Sequence, residues 1–288
     1  MMKEILSVVI PAKNEAASLK AFLPRLKSAY PDAEIILVND GSTDNTSSIC
    51  SEFDVIEVKH SYSKGNGAAI KSGARRATGD VIVFMDGDGQ HDPDDISRLL
   101  NRLDEGFDMV IGARGSKSQA SFGRLAANRV YNKLASWMVG HKIHDLTSGF
   151  RAVRSDKFKE FLYLLPNGFS YPTTSTMAFF RAGYSVGYEP IIAHKRVGES
   201  HINITKDGVR FLLIIFKVGT LYSPLKLFTP ISFSFFLTGL IYYGYTFFSF
   251  GRFTNMSALL FTTSVVIFLM GLLSEQITAL MYKADEKD

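Results

Sequence analysis

Short apolar runs recur along the first 115 residues, each followed by a stretch of helical pattern. "ILSVVI", "EIILV", "DVIEV", "DVIVFMD" and "DMVIGAR" read as strands. "EAASLKAFLPRLKSAY", "TDNTSSICSEF", "GNGAAIKSGARRATG" and "PDDISRLLNRLDEG" read as the helices between them. This alternation predicts an α/β fold with a mostly parallel sheet covered on both faces. Residues 116–200 are less regular. A helix is expected over "FGRLAANRVYNKLASWMVG" and another over 173–182, with strand pattern in "YSVGYEPIIAHKR".

From about residue 211 the chain turns apolar and aromatic. "FTPISFSFFLTGLIYYGYTFFSF" (228–250) has no charge, and "ALLFTTSVVIFLMGLLSEQITALMY" (258–282) has only Glu275. About 20 apolar residues span a bilayer core as a helix, so the pair predicts a transmembrane hairpin. The alternative is a pair of buried core helices. Three regions result: a domain over 1–205, a juxtamembrane segment over 206–227 and the hairpin over 228–283. The juxtamembrane stretch mixes apolar residues with Lys206, Arg210 and Lys217. It either lies in the membrane interface or packs on the soluble domain. Lys217, Lys226, Lys283 and Lys287 flank the outer ends of the hairpin, and Arg252 alone lies in its turn. The positive-inside rule then places the first domain and the C-terminus in the cytoplasm, on the inner face of a multi-pass membrane protein.

A formal charge of +4 is too small to argue for nucleic acid, and a single cysteine, Cys50, excludes an internal disulfide framework. The first residues read as a strand, with no signal-peptide pattern.

In open α/β sheets ligands sit beyond the carboxyl ends of the strands. Four polar segments end strands here: "PAKNE" (11–15), "NDGSTD" (39–44), "DGDGQ" (86–90) and "GAR" (112–114). The third is chemically pointed. An EF-hand reading from Asp86 fails, because His91 stands where glycine is needed and Ser97 where the bidentate glutamate is needed. A turn or helix cap explains Gly87, Gly89 and Asp92 but leaves Asp86, Asp88 and Gln90 on alternate positions. A divalent cation held by few protein oxygens, with a diphosphate completing its shell, accounts for all three. "GNGAAI" (65–70) mimics a dinucleotide fingerprint, but Ile70 occupies the third glycine position.

"VVIPAKNE", "VNDGSTDNT", "KGNGAAIKSGARRATGDVIVFMDGDGQHDP", "IGAR" and "DLTSGFRAV", in that order, resemble family 2 glycosyltransferases of the GT-A fold. Among these the chain resembles the polyprenyl-phosphate glycosyltransferases, over about residues 5–200. The resemblance implies a metal-dependent, inverting transfer of a hexose from a nucleotide diphosphate sugar to polyprenyl phosphate, with Mg²⁺ or Mn²⁺. It places Pro11, Ala12, Asn14, Glu15, Asp40, Lys64, Asp86, Gly87 and Asp88 at the nucleotide sugar, with Asp40 meeting base or ribose. It makes Asp88 and Gln90 the preferred metal ligands. It sets Arg114, Arg129 and Arg196 at the acceptor phosphate, and Asp86, Asp88, Arg114 and Arg129 at the reaction centre. Asn39 replaces an acid common in relatives, and His201 a lysine. Sugar and nucleotide stay open between UDP-sugars and GDP-mannose, and a homo-oligomer stays open as well.

Other readings attach to single residues. Arg151 reads as the anchor of the "SGFR" turn, His91 as a neighbour of the metal loop, and Trp137 as packing or interfacial. Two rival functions are weighed. A processive polysaccharide synthase of the same family would carry Q-x-x-R-W, and the only tryptophan, Trp137, stands in "LASWMV". A non-catalytic nucleotide-sugar-binding subunit would not need the D-x-D-x-Q element and the arginines.

Overall fold

The computed structural model describes residues 4–115, 122–168, 170–192, 216–217 and 219–283, with side chains in helix α5 described from residue 128. The chain separates into two units, Met1–Asn203 and Ile204–Asp288.

The first unit is built on one seven-stranded sheet. Its strands are β1 (Leu6–Ala12), β2 (Glu34–Asn39), β3 (Ile56–Lys59), β4 (Val81–Phe84), β5 (Met109–Arg114), β6 (Arg151–Arg154) and β7 (Val186–Ile191). Its helices are α1 (Ala16–Ala29), α2 (Thr46–Glu52), α3 (Asn66–Arg76), α4 (Asp95–Asp104), α5 (Phe122–Val139), α6 (Ser155–Lys159) and α7 (Tyr171–Arg181). The strand order is β3-β2-β1-β4-β6-β5-β7. The five apolar runs of the first 115 residues all form strands, each within a residue or two of its expected place. β1, β2 and β4 are buried almost throughout, as parallel strands covered on both faces must be. One face carries Val8, Ile10, Leu37, Val83 and Val110 against Leu19, Leu23, Ile96 and Leu99 of α1 and α4. On the other face α3 lies close: a methyl group on Gly73 would stand 2.2 Å from Val9 Cγ1.

β6 departs from the parallel pattern. It arises from "RAVR", a segment read only as irregular, and runs antiparallel to both β4 and β5. Strands β1, β2, β4 and β5 deliver their carboxyl ends to one edge. An antiparallel strand delivers its amino end there instead. The register pairs Phe84 with Arg151, so the chain just before Arg151 lies beside the chain just after Phe84. Segment 145–150 therefore meets "DGDGQ" at the ligand edge of the sheet.

The second unit is a helical hairpin of α8 (Pro224–Phe250) and α9 (Asn255–Lys283). Both helices are long and apolar enough to cross a membrane, with mean hydropathy of 1.4 and 2.2 in their best windows. They begin three to four residues earlier than the runs from 228 and 258 suggest. Pro224 opens α8 at a position where its missing N–H costs nothing. Small residues set the helix contact. Ser232 and Ser264 each donate to the other's backbone carbonyl at 2.9 Å, and a methyl group on Gly271 would stand 2.7 Å from Phe228 Cβ. This is how helices associate where both lipid and protein are apolar. Glu275, the one acid in the spans, accepts the Leu225 N–H at 3.2 Å in the first turn of α8, at the end with positive dipole. Of the 206–227 segment, residues 206–215 and 218 lie outside the described residues.

Candidate active site

Three strand ends and one helix start enclose a cavity of about 490 Å³. Pro11, Ala12, Lys13 and Glu15 close one side after β1, and Asp40 closes the end of β2. Ser63, Gly65, Asn66 and Ala69 form the wall leading into α3, and Asp86, Gly87 and Asp88 follow β4. Of the nucleotide residues expected from the sequence, Asn14 and Lys64 stand outside this lining. Lys13, Ser63, Gly65, Asn66 and Ala69 line it in addition. Lys13 sits inside "PAKNE", and Ser63 and Gly65 flank Lys64.

The loops are fixed by carboxylates and amides. Asp44 Oδ2 accepts the Ala16 N–H at 3.1 Å, and its Oδ1 accepts the Thr46 N–H at 3.1 Å. One acid thus caps the starts of both α1 and α2. Asn14 has a left-handed backbone (φ 57°), accepts the Thr43 N–H at 2.8 Å and donates its own N–H to Ser42 Oγ. Its function here is to lock two loops together. Asn39 is buried and donates to Ser47 Oγ and Glu57 Oε1, and its Oδ1 accepts the Ser42 N–H. An amide suits this position, because an acid there would face Glu57.

Asp40 lines the cavity and is held through both carboxylate oxygens. Its Oδ1 takes hydrogen bonds from His60 Nδ1 at 2.7 Å and the Lys64 N–H at 2.8 Å. Its Oδ2 takes them from Ser63 Oγ at 2.8 Å and the Gly65 N–H at 2.9 Å. His60 is held from behind by Ser72 Oγ at 2.9 Å. Both oxygens are engaged, so this carboxylate organises the 60–65 loop. Burial works against its ionisation. The bonds from His60, Lys64, Ser63 and Gly65 outweigh burial and hold the group at about 2. Gly65 adopts φ +100°, and a methyl group there would stand 2.6 Å from Asn167 O, so only glycine fits the bend. The Gly67 and Ala68 N–H groups bond to the carbonyls of Gly168 and Asn167. The start of α3 is thereby closed to a phosphate, and the dinucleotide reading fails on geometry.

At the β4 end, Asp86 rests on segment 145–150. A methyl group on Gly149 would stand 2.9 Å from Asp86 Oδ2. The segment is held from beneath: Tyr171 Oη donates to Gly149 O at 2.9 Å, and Arg151 Nη2 donates to Ser148 O. Arg151 is fully buried, and its Nη1 reaches Pro172 O at 3.0 Å and Ser175 Oγ at 2.8 Å. Among the described residues it makes no ion pair. It anchors the "SGFR" turn, as the sequence suggested. His91 stacks on Phe150 at 4.9 Å. Burial pushes it down to about 4 against the pull of Asp88, so it is neutral near pH 7.

Arg114, at the end of β5, closes the same edge. Its Nε and Nη2 clasp Asp145 at 2.8 and 3.0 Å, and Nη2 also reaches Thr147 Oγ1 at 2.7 Å. Burial disfavours its charge. Asp145 first, then Asp86 and Asp88, more than offset this and raise its pKa. One edge of the guanidinium fork is thus engaged by protein. Arg129 is exposed on α5, with no hydrogen bond or ion pair among the described residues. Arg196 lies outside the described residues.

Among the described residues no three acidic, histidine or cysteine side chains converge as a metal cage. Glu15, Asp40, Asp86 and Asp88 line the cavity, and Asp86 and Asp88 are the pair that follows β4. Gln90 donates its backbone N–H to Asp88 Oδ1 at 3.1 Å and does not line the cavity. Hard oxygen donors, few in number and open to a ligand, fit Mg²⁺ or Mn²⁺ bound together with a diphosphate.

Comparison with known proteins matches this geometry. Residues 7–162 match the family described as Glycosyl transferase family 2. The chain is a family 2 glycosyltransferase. Residues 223–280 of this glycosyltransferase match a second family, the GtrB C-terminal hairpin. Polyprenol monophosphomannose synthase of Mycolicibacterium smegmatis is 33% identical over 228 residues, 74% of this chain and 84% of that protein. Undecaprenyl-phosphate mannosyltransferase of Micrococcus luteus is 30% identical over 230 residues, 70% of this chain and 93% of that protein. Glucosyl-3-phosphoglycerate synthase of Mycobacterium tuberculosis, in a crystal structure with Mn²⁺, UDP and glucosyl-3-phosphoglycerate, shares the fold. It aligns over 75% of this glycosyltransferase and 79% of that chain with a TM-score of 0.59 at 20% identity. The fold is GT-A.

The Asp40 latch has a pH signature. Its folded value lies below the ordinary carboxylate value of 3.8, so the stability it confers is present above about pH 4 and is lost as pH falls towards 2. Asp40→Asn is expected to unfold at lower temperature than wild type at pH 7. That gap is expected to close between about pH 4 and pH 2, read by thermal unfolding across pH.

Proposed function

We propose that this glycosyltransferase moves a hexose from a nucleotide diphosphate sugar to polyprenyl phosphate, inverting the anomeric centre. The observation that carries this reading is the convergence, at one sheet edge, of the Asp86–Asp88 cavity with the Arg114–Asp145 pair. The named activities of the two curated relatives and the match to a hairpin family supply the lipid acceptor. A lipid phosphate oxygen attacks C1 of the sugar while the bond from C1 to the diphosphate oxygen breaks, releasing the nucleoside diphosphate. A phosphate monoester is already anionic near pH 7, with a second pKa of about 6. It therefore needs orientation and charge neutralisation more than a general base.

The chain's own residues divide the work. Pro11, Ala12, Lys13, Ser63 and Asn66 shape the nucleotide end, on a loop that Asp40 and His60 hold. Asp86 and Asp88 would hold the cation, with Gln90 as a further candidate donor, and that cation offsets charge on the departing diphosphate when bound. Arg114 is kept charged by Asp145, and its Nε and Nη2 are taken by Asp145 and Thr147, which leaves Nη1 without a hydrogen bond among the described residues. It therefore offers one contact to the acceptor phosphate where the sequence suggested a full fork. Arg129 and Arg196 are the further candidates. The hairpin anchors the chain with its flanking lysines, the glycosyltransferase domain and the C-terminus on the cytoplasmic side.

Four outcomes test this. Purified protein with labelled UDP-glucose, UDP-N-acetylglucosamine or GDP-mannose and a short polyprenyl phosphate is expected to give labelled lipid. Asp88→Ala, or excess chelator with wild type, is expected to abolish that product while the variant keeps its unfolding temperature. Full turnover in either case removes the metal assignment. Arg114→Lys is expected to slow transfer about ten- to a hundredfold, the worth of a charge-assisted contact. Donor affinity by calorimetry should hold nearly constant; an equal loss of donor binding would move Arg114 to the nucleotide. A reporter fused after Asp288 is expected to read cytoplasm, and one inserted at Asn255 the opposite side.

A further inference from the structure

The loop that carries Asp86 and Asp88 is tied down near both ends. At its start the Gly87 N–H donates to Pro11 O at 3.3 Å, so the loop leaves β4 against the end of β1. It turns at Gly89, with φ +73°, and reaches His91. The His91 ring lies on Phe150 with centroids 4.9 Å apart and an angle of 13° between the planes. This second tie is buried: His91 is 6% exposed and Phe150 not at all. The next residue, Asp92, is held by Arg25 at 2.9 Å, but at the surface, where an ion pair contributes little.

Phe150 is itself a fixed wall. It belongs to the same apolar core as Val83, Ile96 and Ile191, and its carbonyl accepts the Gly112 N–H of β5 at 2.9 Å. A methyl group on Gly112 would stand 2.7 Å from Phe150 Cδ1. The sequence neighbours of Phe150 are Gly149, which lies against Asp86, and the buried Arg151. The imidazole thus joins two segments from distant parts of the chain, and it lies within electrostatic reach of Asp88, Arg114, Asp95 and Asp145. Its Nδ1 is buried and makes no hydrogen bond among the described residues. A buried polar atom without a partner stabilises nothing, so what His91 supplies here is the flat face of its ring.

We propose that His91 is a positioning residue: its stack on Phe150 fixes where Asp88 stands relative to the Arg114–Asp145 pair. Stacked planar rings fit together in few relative orientations. Asp88 precedes His91 by three residues, and its Oδ1 takes the Gln90 N–H at 3.1 Å, so a shift of His91 passes to that carboxylate. Without the ring, the loop keeps its Gly87 end and the exposed Asp92 tie. A cation shared between Asp88 and a diphosphate would then meet the same donor, no longer held in place.

The proposal rests on the reading of Asp86 and Asp88 as a cation site, and the experiments separate the two. Full-length wild type, His91→Ala and His91→Phe are compared in detergent micelles. In His91→Ala, hydrogen–deuterium exchange read by mass spectrometry is expected to quicken over 86–91 and 145–150 together. It is expected to keep the wild-type rate over 36–44, the loops held by Asp40 and Asp44. His91→Phe keeps a flat ring and is expected to exchange like wild type. Binding of Mn²⁺ in the presence of UDP or GDP is read by the electron paramagnetic resonance signal of free Mn²⁺. It is expected to weaken about tenfold in His91→Ala and to recover in His91→Phe. Faster exchange over the whole domain, a quickening confined to 86–91, or unchanged Mn²⁺ affinity in His91→Ala overturns the proposal. So does a His91→Phe as impaired as His91→Ala, since a ring nitrogen then matters more than the stack. If wild type binds no Mn²⁺ with either nucleotide, the cation reading falls, and the exchange pattern alone decides the stack.

Discussion

The antiparallel ladder of β6 is the constraint on which the site depends. Four residues, Arg151–Arg154, pair with β4 on one side and β5 on the other. A parallel strand in that place would bring its carboxyl end to the ligand edge and send segment 145–150 to the opposite one. Asp86 would then lose Gly149 beneath it, and Arg114 would lose Asp145. Because the strand runs backward, the sheet joins the half that walls the cavity, β1 to β4, to the half carrying Arg114.

That arrangement requires a buried cation. Arg151 sits wholly inside the protein with no ion-pair partner among the described residues, and its charge is met by carbonyls and hydroxyls of Ser148, Pro172, Ser175 and Thr176. Burying a charge this way is expensive unless many dipoles converge on it. Here they come from the turn before β6 and from the first turns of α7, so one guanidinium ties both to the floor under Asp86. Tyr171 adds a second tie through Gly149 O. Burial and then Asp86 push its hydroxyl well above its ordinary value, so it stays a neutral donor.

On the nucleotide side, rigidity comes from acids turned inward. Asp40 and Asp44 are both held below their ordinary value by hydrogen bonds despite burial. Each organises backbone N–H groups that a loop would otherwise leave unpaired. The cavity wall is therefore preorganised, and side chains that point into it, such as Lys13, Ser63 and Asn66, are carried on fixed loops.

The chain pattern alone determined the α/β class, the strands up to Arg114, the two long apolar helices and the loops that surround the cavity. These are local properties. Apolar runs of strand length, 3.6-residue periodicity, and glycine or acid at strand ends all lie within a few neighbouring residues. Asp86 and Asp88 were legible for the same reason, since alternation at a strand tip is a local geometry. The tertiary structure decided what depends on distant partners. "RAVR" has too few residues to show a period, and its direction is set by β4 and β5. Asp40 looks the same in sequence with or without protein donors around it, and only the path of residues 60–65 brings four of them together. Arg114 and Asp145 stand 31 positions apart, and Trp137 could be core or surface until α7 covered the other side of its helix.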